Sequence, residues 1–168
     1  MKLFFLSKRN SAGYTIVELF FYISLFTVLS VVVINAMITM SQSFRETSVQ
    51  GEFIEAGNIM EKISREIRGA ISVSSISNTD LVLNTKDSSG VSKTVEFLVS
   101  GNNLQFLDNG SLVGNLNTGN IIVSGTSFTG ITTAQGYAIK VSFAVSSVND
   151  SRNRTVTFND TIVLRGSY

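Results

Sequence analysis

Twenty consecutive residues, Leu19 to Ile38, carry no charge. As a helix they span about 30 Å, the thickness of a bilayer's hydrocarbon core. No other feature restricts the fold as strongly, because so apolar a segment needs either lipid or complete burial around it. The flanks favour lipid over the core of a soluble domain. Lys2, Lys8 and Arg9 precede the run with no acidic residue among them, whereas beyond it Arg45 is outnumbered by Glu46, Glu52 and Glu55. The positive-inside rule then sets the N-terminus in the cytoplasm and the chain beyond Met40 outside. One carboxylate, Glu18, stands at the start of the run. An acidic side chain at the centre of a bilayer costs roughly 2.5–3.5 kcal/mol, which makes Glu18 a candidate functional residue.

The order of parts differs from an ordinary secretory signal. Such a signal has an apolar core of roughly 7–15 residues followed by small residues at the cut. Here the core is longer, and Ser11, Ala12 and Gly13 come before it. Cleavage after Gly13 would remove a basic leader and leave the span attached.

In this arrangement Gly13-Tyr14-Thr15-Ile16-Val17-Glu18 resembles the processing signal of type IV pilins and of the pseudopilins of type II secretion. The resemblance rests on a short basic leader, a glycine, an aromatic residue, a glutamate at the fifth mature position and a downstream span. It implies that a prepilin peptidase cuts between Gly13 and Tyr14 and methylates the new amino group of Tyr14. It also implies an assembly role for Glu18, with other pilins or pseudopilins, an inner-membrane assembly platform and the lipid bilayer as partners. The alternative role for Glu18 is a headgroup-level carboxylate at the cytoplasmic edge of the membrane. Many major pilins carry a proline some way into this helix, where the present chain has Asn35.

Past the span, Phe53, Ala56, Met60, Ile63, Ile67 and Ala70 recur by threes and fours, the stripe of an amphipathic helix. Glu52, Glu55, Glu61, Lys62, Arg65, Glu66 and Arg68 fill the remaining positions and read as a solvated face, with Glu61 and Arg65 an i,i+4 pair. Gly51 and Gly57 weaken the middle of this helix, and Gly69 is placed for its C-terminal cap. From Ile71 onward the chain turns to Ser, Thr, Asn and Gly between short β-type runs. These are Leu81–Leu83, Thr94–Val99, Leu104–Leu107, Ile121–Val123, Tyr137–Val145 and Val156–Leu164, with turn signals at Ser100–Asn103 and Asp108–Gly110. Alternating large apolar residues from Tyr137 to Val145 mark a strand buried on one side.

The expected class is α+β: a long N-terminal helix, membrane-spanning then amphipathic, packed on a C-terminal antiparallel β-sheet. The divisions are a leader over 1–13, a span over 14–40, an amphipathic helix over 41–71 and a β-rich domain over 72–168. This is also the pilin-like architecture that the resemblance implies. The segments Glu61–Arg68 and Thr155–Arg165 resemble the J-type minor pseudopilins most.

Catalysis has little to draw on. The chain holds no histidine and no cysteine, so the commonest general base, nucleophilic thiolates and zinc-type ligands are missing. No phosphate-binding glycine motif occurs. Asp80, Asp87, Asp108, Asp150 and Asp160 stand in turn-like surroundings, where aspartate is ordinary. Asp87–Gly90 and Asn149–Ser151 offer oxygen atoms to calcium, but they lack EF-hand spacing and read as turns. No cofactor or metal is expected. From Ser72 onward six basic residues balance six acidic ones, so the domain lacks the electrostatic footprint of a nucleic-acid binder. Arg152 and Arg154 read as decoration of a loop. Asn109-Gly110-Ser111 and Asn153-Arg154-Thr155 match glycosylation acceptors, as an Asn-rich chain does by chance.

The expectation is therefore a non-enzymatic structural subunit, minor more than major, of a type IV pilus or type II secretion pseudopilus. It would sit in the inner (cytoplasmic) membrane by a single pass before entering the filament. Two rivals stand beside it: a pilus-borne subunit for adhesion or DNA uptake, and a single-span anchored domain that never assembles.

Overall fold

The computed structural model describes residues 13–133 and 136–165. The basic leader positions Lys2, Lys8 and Arg9, and the small residues Ser11 and Ala12, lie outside them. The chain divides into two compact units, the first ending at Ser43 and the second beginning at Phe44.

The first unit is helical from Ile16, as part of α1, Ile16–Gly69. α1 is long and apolar enough to cross a membrane, and none of its most apolar window is buried. Three of its hydroxyls are satisfied by the preceding turn. The hydroxyls of Thr27, Ser30 and Thr39 donate to the carbonyls of Ile23, Phe26 and Asn35 at 2.8, 2.8 and 3.0 Å. A helix placed in hydrocarbon would need such bonds, since lipid supplies no partner. Asn35 stays helical where a proline would have removed a backbone donor.

In the second unit α1 buries Val49, Ala56, Ile59, Met60, Ile63 and Ile67, the expected stripe enlarged by Val49 and Ile59; Phe53 is half-buried. Gly51 and Gly57 do not interrupt it. The expected glycine cap is not formed. Gly69 keeps a negative φ, and the last turn closes through the Ala70 amide donating to the Ile67 carbonyl at 3.2 Å.

The charged residues need a second correction. Glu52 is buried, because it sits three residues after Val49 and four before Ala56 on the core-facing stripe. Its Oε1 accepts from Asn149 Nδ2 at 2.9 Å. Glu55 accepts from the Thr118 amide and hydroxyl. Lys62 places Nζ 4.0 Å from the centre of the Phe106 ring, and Glu61 does not pair with Arg65.

Among the described residues eight strands follow: β1 Ser72–Ile76, β2 Asp80–Lys86, β3 Ser92–Ser100, β4 Asn103–Asp108, β5 Ser111–Asn115, β6 Ile121–Thr133, β7 Gly136–Ser147 and β8 Thr155–Val163. They make two antiparallel sheets, β1-β2-β3-β4-β5 and β6-β7-β8, so the expected α+β class, a long helix followed by an antiparallel β domain, is observed. Asn117 marks the break. Its buried Oδ1 accepts from the Leu104 amide at 2.9 Å, and its Nδ2 donates to the Ile121 carbonyl at 2.8 Å. One side chain thus takes the place of strand partners between β4 and the start of β6.

β1 and β5 went unread because both are short and polar. β6 is far longer than Ile121–Val123, and it passes a register shift between Ser124 and Ser127 where Gly125 has φ +58°. The predicted alternation in β7 is observed, with Ile139, Val141, Phe143 and Val145 fully buried. These residues join Leu81, Leu83, Val95 and Phe97 of the other sheet and the α1 stripe in one apolar cluster. On β6, Gly130 lies under the Tyr137 ring, and a Cβ there would collide with the Tyr137 hydroxyl.

Candidate functional site

The three residues singled out from the sequence cluster at the head of α1. Gly13, Tyr14 and Thr15 are outside the helix and exposed. Among the described residues, no atom lies within 4 Å of a Cβ built on Gly13, and Tyr14 is 79% exposed. Gly13 and Tyr14 are thus exposed, non-helical residues ahead of α1.

Thr15 explains why the helix starts where it does. Its Oγ1 accepts from the Glu18 amide at 3.2 Å, the bond an N-cap makes to the third helical residue. Thr15-x-x-Glu18 is the sequence of a capping box, a signal carried by four adjacent residues. The Glu18 carboxylate does not close that box. Its Oε1 accepts from the Tyr22 hydroxyl one turn later at 3.3 Å, while the Tyr14 and Tyr22 rings meet edge to face at 6.4 Å. A carboxylate in the first turn also opposes the positive end of the helix dipole. The first turn thus collects an acceptor, two aromatic rings and an exposed backbone junction.

A second polar cluster lies in the second unit, between α1 and the β7–β8 loop. Arg154 holds Glu46 bidentately, Nη1 to Oε1 at 2.6 Å and Nη2 to Oε2 at 3.0 Å. It also donates through Nε to Asp150 Oδ2 at 2.8 Å. Asp150, only 5% exposed, accepts from the backbone amides of Arg152 and Arg154 as well. Hydrogen bonds from Arg154 hold both the Asp150 and the Glu46 carboxyl below the usual carboxylate range. Arg154 is therefore a buttress between loop and helix and not the loop decoration expected; Arg152 alone stays largely exposed.

This cluster could not be read from sequence spacing, since Glu46 and Arg154 are 108 positions apart. Asp150 spends its oxygens on this loop, and Asp87 Oδ1 accepts from the Ser89 and Val91 amides, so both segments use their carboxylates as turn caps, as their reading as turns expects. No group of three or more His, Cys, Asp or Glu among the described residues is arranged to hold a metal ion. Lys93 pairs with Asp108 at 2.8 Å, which raises the lysine's pKa. No family model, no curated protein and no solved structure matches this chain.

Proposed function

We propose that the chain is a structural, non-catalytic subunit of a type IV pilus or type II secretion pseudopilus, more minor than major. Its precursor sits in the inner membrane with the N-terminus in the cytoplasm. A prepilin peptidase cuts it between Gly13 and Tyr14, and assembly proceeds through the N-terminal helix with other pilins or pseudopilins on an inner-membrane platform. The observation that carries this reading is the composition of α1. One continuous helix offers a bare apolar surface at one end and docks on antiparallel sheets at the other, and its single early carboxylate follows an accessible Gly–Tyr junction.

Each part has a physical use in that role. Open backbone at Gly13 lets a membrane peptidase reach the bond without unwinding a turn. A bare apolar helix is stable in lipid and equally stable in a bundle of like helices, so a subunit can pass from one to the other. Substituting Gly13→Leu obstructs the cut and leaves a full-length precursor in the membrane. Intact-mass measurement checks this, and a mature chain starting at Tyr14 in that variant refutes the reading.

A further inference from the structure

Two arginines mark the edge of the second unit where α1 enters it. Arg45 stands four positions before Val49 and seven before Glu52, on the stripe of α1 that faces the core. Val49 and Glu52 are buried, yet Arg45 is exposed, so the packed core ends between Arg45 and Val49. The β7–β8 loop reaches this same end of the helix. Arg154 fastens it to Glu46, and Arg152 Nη1 stands 3.9 Å from Glu46 Oε2 with its side chain 72% exposed. Ser151 and Asn153 on either side of Arg152 are exposed too, as is Phe44 beside Arg45. The carboxylates here, Glu46 and Asp150, are both hydrogen-bonded to Arg154, so three guanidinium groups meet two carboxylates. The surplus is positive, and Arg45 and Arg152 carry it outward.

We propose that this edge docks on anionic lipid headgroups, with Arg45 and the β7–β8 loop residue Arg152 as the contacts. Arg45 follows Ile38, the last residue of the uncharged run, by seven positions, about 10 Å of helix. The headgroup layer is roughly 5–7 Å deep on each side of a bilayer. A flexible arginine stem spans the remainder, and a Debye length of about 8 Å lets the charge act across it at physiological salt. Guanidinium groups suit this partner, because their planar fork donates bidentately to phosphate oxygens. The loop cannot swing away from the helix, since Arg154 pins it to Glu46 at 2.6 Å. The inference rests on the functional reading above only in placing Leu19–Ile38 in a bilayer; filament assembly is not required. Such a contact holds the domain against the membrane until the helix leaves lipid.

The chain has no cysteine, so a single introduced one can carry a fluorophore. Full-length chains labelled at Ser151→Cys or at Ser88→Cys are reconstituted in vesicles whose headgroups bear a nitroxide quencher. Ser88 is the control, in the β2–β3 turn beyond Asn84, whose carbonyl accepts from the Ile71 amide past the far end of α1. The vesicles are phosphatidylcholine alone, or phosphatidylcholine and phosphatidylglycerol in equal parts. Each arginine at an anionic surface contributes about a fivefold preference, so two shift the ratio of docked to free by roughly 25-fold. The Ser151 label should be strongly quenched in the mixed lipid and weakly in phosphatidylcholine. Quenching in the mixed lipid should also fall in an Arg45→Gln, Arg152→Gln double variant and at high salt, and Ser88 should stay unquenched throughout. Equal quenching of Ser151 in both lipids or in the double variant overturns the proposal. So does an unquenched Ser151 in the mixed lipid, or a Ser88 quenched as strongly. Alkaline extraction reads insertion separately: a chain washed off refutes the membrane reading and the contact with it, whereas a retained but unquenched chain refutes the contact alone.

Discussion

Arg154 shows how much a single side chain can join. It ties Asp150, in the β7–β8 loop, to Glu46 on α1 through charge-assisted hydrogen bonds, which are stronger than neutral ones. The sign of the pH effect follows from the lowered carboxyl pKa of Asp150. A folded-state pKa below the unfolded one means that unfolding takes up a proton in acid. The contribution is fully present above the ordinary aspartate value of about 3.9 and is lost as the pH falls toward the depressed value. Melting of a Ser41–Tyr168 fragment should therefore separate wild type from Asp150→Asn most widely near neutrality. The gap should narrow below about pH 4; melting curves that differ by the same amount at every pH would show that the ionised carboxylate does not hold the loop. At this scale the sequence was legible where a residue acts on its neighbours. Asn109 and Asn153 take positive φ in turns, as turn asparagines do, and Thr15 caps the helix it precedes. It was not legible for Arg154 or Glu52, whose partners Glu46 and Asn149 are 108 and 97 positions away, or for Asn117, which joins two strands rather than its own turn.

Among the elements, α1 was read nearly to its ends because its pattern is long and periodic. The buried stripe of its second half tests the packing directly. Ile63 is fully buried in the shared cluster, so Ile63→Asp puts an unpaired charge in the core. Burying an unpaired charge costs several kcal/mol, comparable to a small domain's whole stability of about 5–15 kcal/mol. The Ser41–Tyr168 fragment should melt cooperatively and its Ile63→Asp version should not, by circular dichroism; equal melting temperatures would mean that Ile63 does not carry the core. The strands were read where apolar residues alternate, as in β7. β1 and β5 escaped because an edge strand pairs on one side and buries little, so its residues need no alternation. β6 was cut short because its outer half is polar and glycine-containing, and its pairing with β7 comes from the hairpin, not from apolar content.

For the whole molecule, the proposed function turns on Glu18. If the chain is cut after Gly13 as proposed, Tyr14, which lies just before the helix, would carry a free amino group four positions ahead of Glu18. In an assembled bundle the amine of one subunit can meet Glu18 of its neighbour, away from water. Leaving either charge unpaired there costs several kcal/mol, so the pair sets register more than it adds stability. Glu18→Val should still be cleaved and inserted, yet fail to co-purify with partner pilins. Normal co-assembly would instead favour a headgroup-level glutamate. The apolar span, the charge asymmetry of its flanks, the junction at Gly13 and the helical stripe were all determined by sequence alone, because each depends on residues within a few turns of one another. The split into two sheets, the burial of Glu52, the pinning of β6 by Asn117 and the Arg154 buttress were decided by tertiary structure. Glu52 and Arg154 find partners 97 and 108 positions away, and Asn117 bridges β4 and the start of β6, so only the folded path brings donor and acceptor within hydrogen-bonding distance.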